Sequence, residues 1–389
     1  MTATTHPDRA PGKLDPVVSE RIRIARTICI FLMMFVHVQA GVADDVNQRP
    51  ADDWFDIVYF ILTRIFGLSS VALLTIVSGY LIVSTLHKLG AVPLIRSKAR
   101  TLLVPLVAWN LVMLGCLAAY GVLTGKWDAM PALEALPLAD ALLALTQWPQ
   151  VVPLWFLRDL FVCCLLSPLL LWGLRRAPLA SFGAVAAFAF LGDGALVLQR
   201  PPMLLFFAAG MWLRQSGMER GDIDRLSRPI ALLLLPVIAV FLGLRLQQGS
   251  IAAYSETAST AFDMALRFSM AAFMWQLTIR LSRLRFGALC RELEPYVFFA
   301  FCSHAILFDF GQIILRRAFG NYGSDLFPIT FFALPIVAMA TSVVALQLIR
   351  GWPGLLAVLN AGRPSPAWPP RLAAPAPARA LPEARQRRT

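Results

Sequence analysis

Apolar residues recur along this chain in long runs separated by short polar or turn-rich connections. The runs fall at 24–42, 57–84, 101–122, 153–174, 177–198, 201–214, 229–247, 258–280, 294–315 and 326–349. About twenty apolar residues cross the hydrocarbon core as a helix, and a backbone in lipid must satisfy its own hydrogen bonds. The pattern therefore predicts an all-α fold: a polytopic membrane helical bundle of about ten transmembrane helices. The first run is not read as a cleavable signal, because it carries Arg26 and His37 and lacks a small-residue cleavage site behind it.

Composition agrees with this reading. Of 389 residues, 58% are hydrophobic and only 15% charged, far from an ordinary soluble domain. The net charge of +12 raises the question of nucleic acid, and its distribution answers it. Lys and Arg crowd into alternate connections: 9–23, 88–100, 175–176, 214–228, 280–291 and from Arg350 onward. That alternation is the positive-inside signature, which places both termini in the cytoplasm and makes the excess charge an orientation signal. No nucleic-acid partner is expected. The six cysteines show no metal-ligand spacing and read as small core residues.

Residues 1–20 are polar and read as a disordered cytoplasmic arm, and 351–389, rich in Pro, Ala and Arg, as a disordered cytoplasmic tail. Any chemistry then belongs to the bundle between them, residues 21–350. Two outer connections are long, one after the first run and one over 124–152, and such loops could line an entrance for an external substrate or be plain connectors.

The informative residues are polar groups inside the apolar runs: Arg26, His37, Arg64, Arg158, Asp159, Arg267, His304 and Asp309. Arg26 and His37 are eleven positions apart, roughly 16 Å along a helix and on one face three turns apart. A charged group in hydrocarbon costs about 2.5–3.5 kcal/mol or more, so such side chains face protein or a watery path. Any single arginine here is explained by snorkelling or helix pairing, and His304 alone by a satisfied core position. Arg26 and His37 together on one face ask for a shared polar cavity, with His37 as the natural general base. Arg96, Lys98 and Arg100, in IRSKARTLLVP, form a basic run that suits either a topology anchor or a clamp for an anionic cytoplasmic donor. There is no Gly-rich phosphate loop, hydrolase triad signature or zinc spacing, so no metal is expected.

Together these features resemble the acyltransferase-3 family of integral-membrane O-acyltransferases. The resemblance is carried by Arg26 and His37 within ARTICIFLMMFVHV, IVSGYLI at 76–82 with Arg64 upstream, and RSKARTLLVP. It continues through PLWFLRDL at 153–160, FFAAGMWLR, and YVFFAFCSHAIL at 296–307 with His304. It implies that 21–350 is a membrane acyltransferase domain in the bacterial inner membrane, multi-pass, with acyl-CoA as donor substrate and no bound cofactor. The acyl group is acetyl or succinyl, and the acceptor a hydroxyl of a polysaccharide or lipid-linked glycan, with membrane lipid and polysaccharide-biosynthesis proteins as partners. The implied catalytic set is His37, Arg26, Arg64, Arg158, Asp159 and His304, with Arg96, Lys98 and Arg100 holding the donor. His37 either deprotonates the acceptor or carries the acyl group itself. The competing class is a transporter or flippase whose cavity charges hold a glycan or anionic metabolite.

Overall fold

A computed structural model describes residues 14–42, 46–48, 53–192, 197–246 and 256–365. The arm and tail read from the sequence lie mostly outside these residues.

Helix α1, Pro16–Met34, opens where Asp15 accepts a bond from the Val17 N–H and a proline occupies the first turn. It tightens into a 3₁₀ turn at Phe35–His37, so His37 sits at a helix end rather than mid-helix. Helix α2, Trp54–Leu89, starts with a reciprocal Asp53/Asp56 capping box and contains a π-helical turn at Ile61–Gly67. Helix α3, Ala91–Thr124, has a second π turn at Ala99–Leu103. A short α4, Ala135–Leu143, lies in the long connection before α5, Val152–Arg176. Then follow α6 Pro178–Leu191, α7 Pro202–Gln215, α8 Arg220–Leu232, α9 Leu234–Leu246 and α10 Glu256–Leu281. The described chain closes with α11 Arg285–Phe319, α12 Phe327–Leu348 and α13 Pro353–Leu359.

The expectation of about ten transmembrane helices is corrected. Among the described residues, five helices are long and apolar enough to cross a membrane: α2, α3, α5, α11 and α12. Length and charge explain the difference. Helices α6 and α7 have 14 residues each and α9 has 13. At 1.5 Å per residue they reach roughly 21 Å, short of the hydrocarbon thickness of about 30 Å. Helix α1 is interrupted by Glu20, Arg21, Arg23 and Arg26, and α10 by Asp263, Arg267 and Arg280. The apolar runs are present, but half of them do not build a spanning helix of their own. Part of the segment read as an unstructured tail is likewise helix α13.

The closest helix pairing brings two of the sequence motifs together. Gly79 of IVSGYLI on α2 meets Gly210 of FFAAGMWLR on α7. A Cβ on Gly79 would lie 2.0 Å from the Phe207 carbonyl oxygen, and one on Gly210 would lie 1.9 Å from that of Ile76. Only two glycines let the backbones touch. Arg214 locks the same pair, donating from Nε to Ser84 Oγ at 3.0 Å and from a terminal nitrogen to the Tyr80 hydroxyl at 3.1 Å. The most deeply buried arginine, Arg21, ties α1 to α8 and α10. It is 2% exposed, pairs with Asp224 at 2.8 Å, and stacks 3.9 Å over the Trp275 ring.

The 124–152 connection is held by two polar anchors. Asn110 receives the Val151 N–H at 2.7 Å and donates to the Leu142 carbonyl at 3.0 Å. Asp140 accepts from the Thr146 N–H at 2.6 Å and hydroxyl at 2.8 Å. Burial alone raises a carboxyl's pKa, but these bonds and that from Gln147 outweigh it and hold Asp140 below the usual carboxylate range.

Candidate active site

Helices α1 and α11 lie side by side and run in the same direction, as two rungs between them show. At one rung, Arg26 donates to Glu294 at 3.5 Å, with Arg23 3.8 Å from the other carboxylate oxygen. At the other, His37 and His304 stack with ring centroids 5.2 Å apart and planes inclined by 57°. The spacings match, eleven residues on α1 against ten on α11. Arg26 and His37 thus each meet α11, but of the two only His37 lines the adjacent cavity.

His304 is fully buried between Phe301 and Phe308. Its Nδ1 lies 2.8 Å from the Phe301 carbonyl oxygen and 3.2 Å from that of Ala300. Carbonyls only accept, so Nδ1 carries the proton and Nε2 keeps its lone pair. That Nε2 has no hydrogen-bond partner among the described residues. Gly67, in the π turn of α2, brings that helix against the residue before His37: a Cβ there would lie 2.4 Å from Val36. On the far side of the α1 terminus, Phe35 packs on Phe331 with centroids 5.0 Å apart, which fixes the turn that presents His37.

His37 opens onto a cavity of about 530 Å³. Its polar lining includes Gln199, Arg200, Asp263 and Arg267 besides Thr75 and Thr260, with Trp148 and Trp155 at the 124–152 connection. Arg267 donates to the Leu68 carbonyl at 3.0 Å and lies 3.9 Å from Asp263, one turn back on α10. The Arg200 guanidinium stands 5.3 Å over the Trp148 ring, and Trp148 meets Trp155 edge to face at 6.2 Å. Such a room, with a histidine at one wall and guanidiniums opposite, can activate a hydroxyl and stabilise an oxyanion.

The other expected site residues are placed as follows. Arg64 sits on the π turn within electrostatic range of Arg267 and is not part of the cavity lining. Arg158 and Asp159 do not line the cavity either. They form a buried pair at 2.9 Å, 7% and 0% exposed, with further bonds to backbone. Asp159 accepts the Gln199 and Arg200 N–H groups at 3.0 and 2.9 Å, and Arg158 donates to the Val197 carbonyl at 2.7 Å. They hold the loop that carries Gln199 and Arg200. Asp309 accepts from Gln39 at 2.8 Å rather than orienting a histidine. Arg96 and Arg100 are exposed and Lys98 half-buried on the first turns of α3. Sequence reasoning missed Gln199 and Arg200, which sit in a polar connection with no periodicity to mark them. It also gave Trp148 only the role of an interface anchor. Among the described residues, no group of three His, Cys, Asp or Glu side chains is placed to hold a metal.

This architecture is that of a multi-pass membrane protein with an internal cavity beside a histidine pair. The chain belongs to the acyltransferase-3 family of integral-membrane O-acyltransferases, whose acyltransferase-domain model matches residues 20–347. It is accordingly an acyltransferase. It is similar to the succinoglycan biosynthesis protein ExoH of Rhizobium meliloti (strain 1021), at 29% identity over 365 residues, 90% of this chain and 94% of that protein. No solved structure matches the chain.

Proposed function

We propose that this enzyme transfers an acyl group, acetyl or succinyl, from cytoplasmic acyl-CoA to a hydroxyl of an exported or cell-surface polysaccharide, working in the bacterial inner membrane. The observation that carries the reading is the position of His37. It is backed by His304 on one side and faces, on the other, a cavity lined by Arg200, Asp263 and Arg267. The similarity to a succinoglycan biosynthesis protein supports a polysaccharide acceptor.

In this mechanism a ring nitrogen of His37 takes the proton of the acceptor hydroxyl as its oxygen attacks the thioester carbonyl. Arg267 and Arg200 stabilise the oxyanion of the tetrahedral intermediate. The C–S bond then breaks, and the proton on His37 passes to the departing thiolate, leaving an ester and free coenzyme A. His304, with its Nδ1–H engaged by backbone, packs against the His37 ring and positions it at the cavity wall. Arg96, Lys98, Arg100 and Arg26 supply positive charge for the donor phosphates. Arg158 and Asp159 act through the loop they hold.

The test is transfer from labelled acyl-CoA by His37→Ala protein in liposomes. Removal of a general base lowers the rate about 10²–10⁴-fold. Turnover near the wild-type rate would remove His37 from the mechanism. Glycan flipping without any acyl-CoA consumption would favour the transport class instead.

A further inference from the structure

The chain after α12 does not leave the bundle at once. Helix α13 packs beside α3, where the Trp109 indole N–H donates to the Leu359 carbonyl at 3.0 Å. Asn360 is fully buried and donates from its side chain to the Arg363 carbonyl at 3.1 Å, while the Arg363 N–H returns to the Asn360 carbonyl at 3.0 Å. Ser365 is 8% exposed and receives the Gln347 side-chain amide at 3.4 Å. These bonds aim Arg363 back at α11, where its guanidinium lies 4.4 Å over the Phe298 ring.

That position is chemically pointed. Phe298 is one turn beyond Glu294, the residue that Arg23 and Arg26 share. Arg26 and Glu294 are both within electrostatic range of Arg363. Three guanidiniums thus gather around one carboxylate, leaving an excess of positive charge. The carboxylate can neutralise only one of them, which leaves guanidinium donors suited to an anion. The cluster stands about eleven helical residues, roughly 16 Å, from His37 along α1. An arm extending from the imidazole toward this end of α1 leads to it.

We propose that Arg363 is a donor-binding residue: with Arg26 it holds the phosphates of coenzyme A, and the folded segment Asn360–Ser365 is one wall of the donor entrance. This rests on the acyl-CoA reading above. It adds a residue that lies beyond the 20–347 span matched by the family, on a stretch that composition alone marks as tail. The guanidinium supplies planar donors suited to phosphate, and the Phe298 face and the backbone bonds pre-set its direction.

The experiment measures equilibrium binding of coenzyme A to full-length protein, in detergent free of phospholipid and again in phosphatidylglycerol nanodiscs. Wild-type binding of coenzyme A tests the acyl-CoA reading by itself. Arg363→Gln weakens that binding about tenfold in lipid-free detergent, as expected for one charge-assisted phosphate contact. It also flattens the salt dependence of binding and leaves the acceptor KM in place, readouts that a packing role does not move. Arg363→Lys restores part of the affinity. Unchanged coenzyme A affinity in Arg363→Gln would overturn the proposal while leaving the acyl-CoA reading intact. So would a loss confined to phosphatidylglycerol retention, which would assign the cluster to a lipid phosphate.

Discussion

Asp159 accepts two backbone N–H groups and one guanidinium, and Arg158 donates to that carboxylate and to the Val197 carbonyl among others. Asp159 is fully buried, and replacing it removes the acceptor that these three groups share, a loss of about 3–5 kcal/mol. Asp159→Asn should therefore lower thermal stability in detergent and, by freeing Gln199 and Arg200, raise the KM for acceptor. Arg200→Ala should raise the same KM with the melting temperature unchanged. If both variants leave acceptor KM alone, the loop at 197–200 is not part of the acceptor wall. The same residues show what a sequence discloses. Charges in apolar runs announce that something must answer them, and His37, His304 and Arg267 were legible for that reason. What answers them is not legible: among the partners of Arg158 and Asp159 are backbone groups of Val197, Gln199 and Arg200, some forty residues away, and backbone is silent in sequence.

At the scale of elements, helix contact is set by whether backbones can meet. The α2–α7 crossing depends on Gly79 and Gly210, each within about 2 Å, on adding a Cβ, of a carbonyl oxygen on the other helix. A backbone oxygen cannot rotate aside as a side chain can, so one methyl must push the helices apart. Overpacking of this kind costs about 1–3 kcal/mol or more. Gly210→Ala and Gly79→Ala should each reduce the melting temperature in detergent, with Gly210→Ala also loosening the Arg214–Tyr80 contact. Ala substitution at Gly115, which meets nothing within 4 Å, should not. The two motifs were readable as motifs, and their mutual contact was not. Helix lengths failed for a related reason. Equating each apolar run with one span ignored the prolines at Pro178 and Pro202 and the charges inside α1 and α10, which shorten or polarise the elements.

For the whole molecule, the cations divide into two populations with different work. One is the set around Arg26, Arg96, Lys98, Arg100 and Arg363, toward the start of α1 and α3. The other is Arg200 and Arg267, in the room beyond His37. The histidine pair lies between Arg26 and the cavity along α1 and α11, with Phe301 and Phe308 packed about His304. A donor and an acceptor that enter from opposite ends would then meet at His37 without either crossing the membrane. This makes transfer directional. In liposomes of sorted orientation, with acyl-CoA supplied only on the face toward the first turns of α1 and α3 and acceptor trapped on the other, esterified acceptor should accumulate on the trapped side. Reversing the two reagents should abolish product, because the donor phosphates would then be held away from Arg26 and Arg363. Product formed equally in both arrangements would mean that a single mouth admits both substrates, and that the charge clusters at the two ends do not sort them.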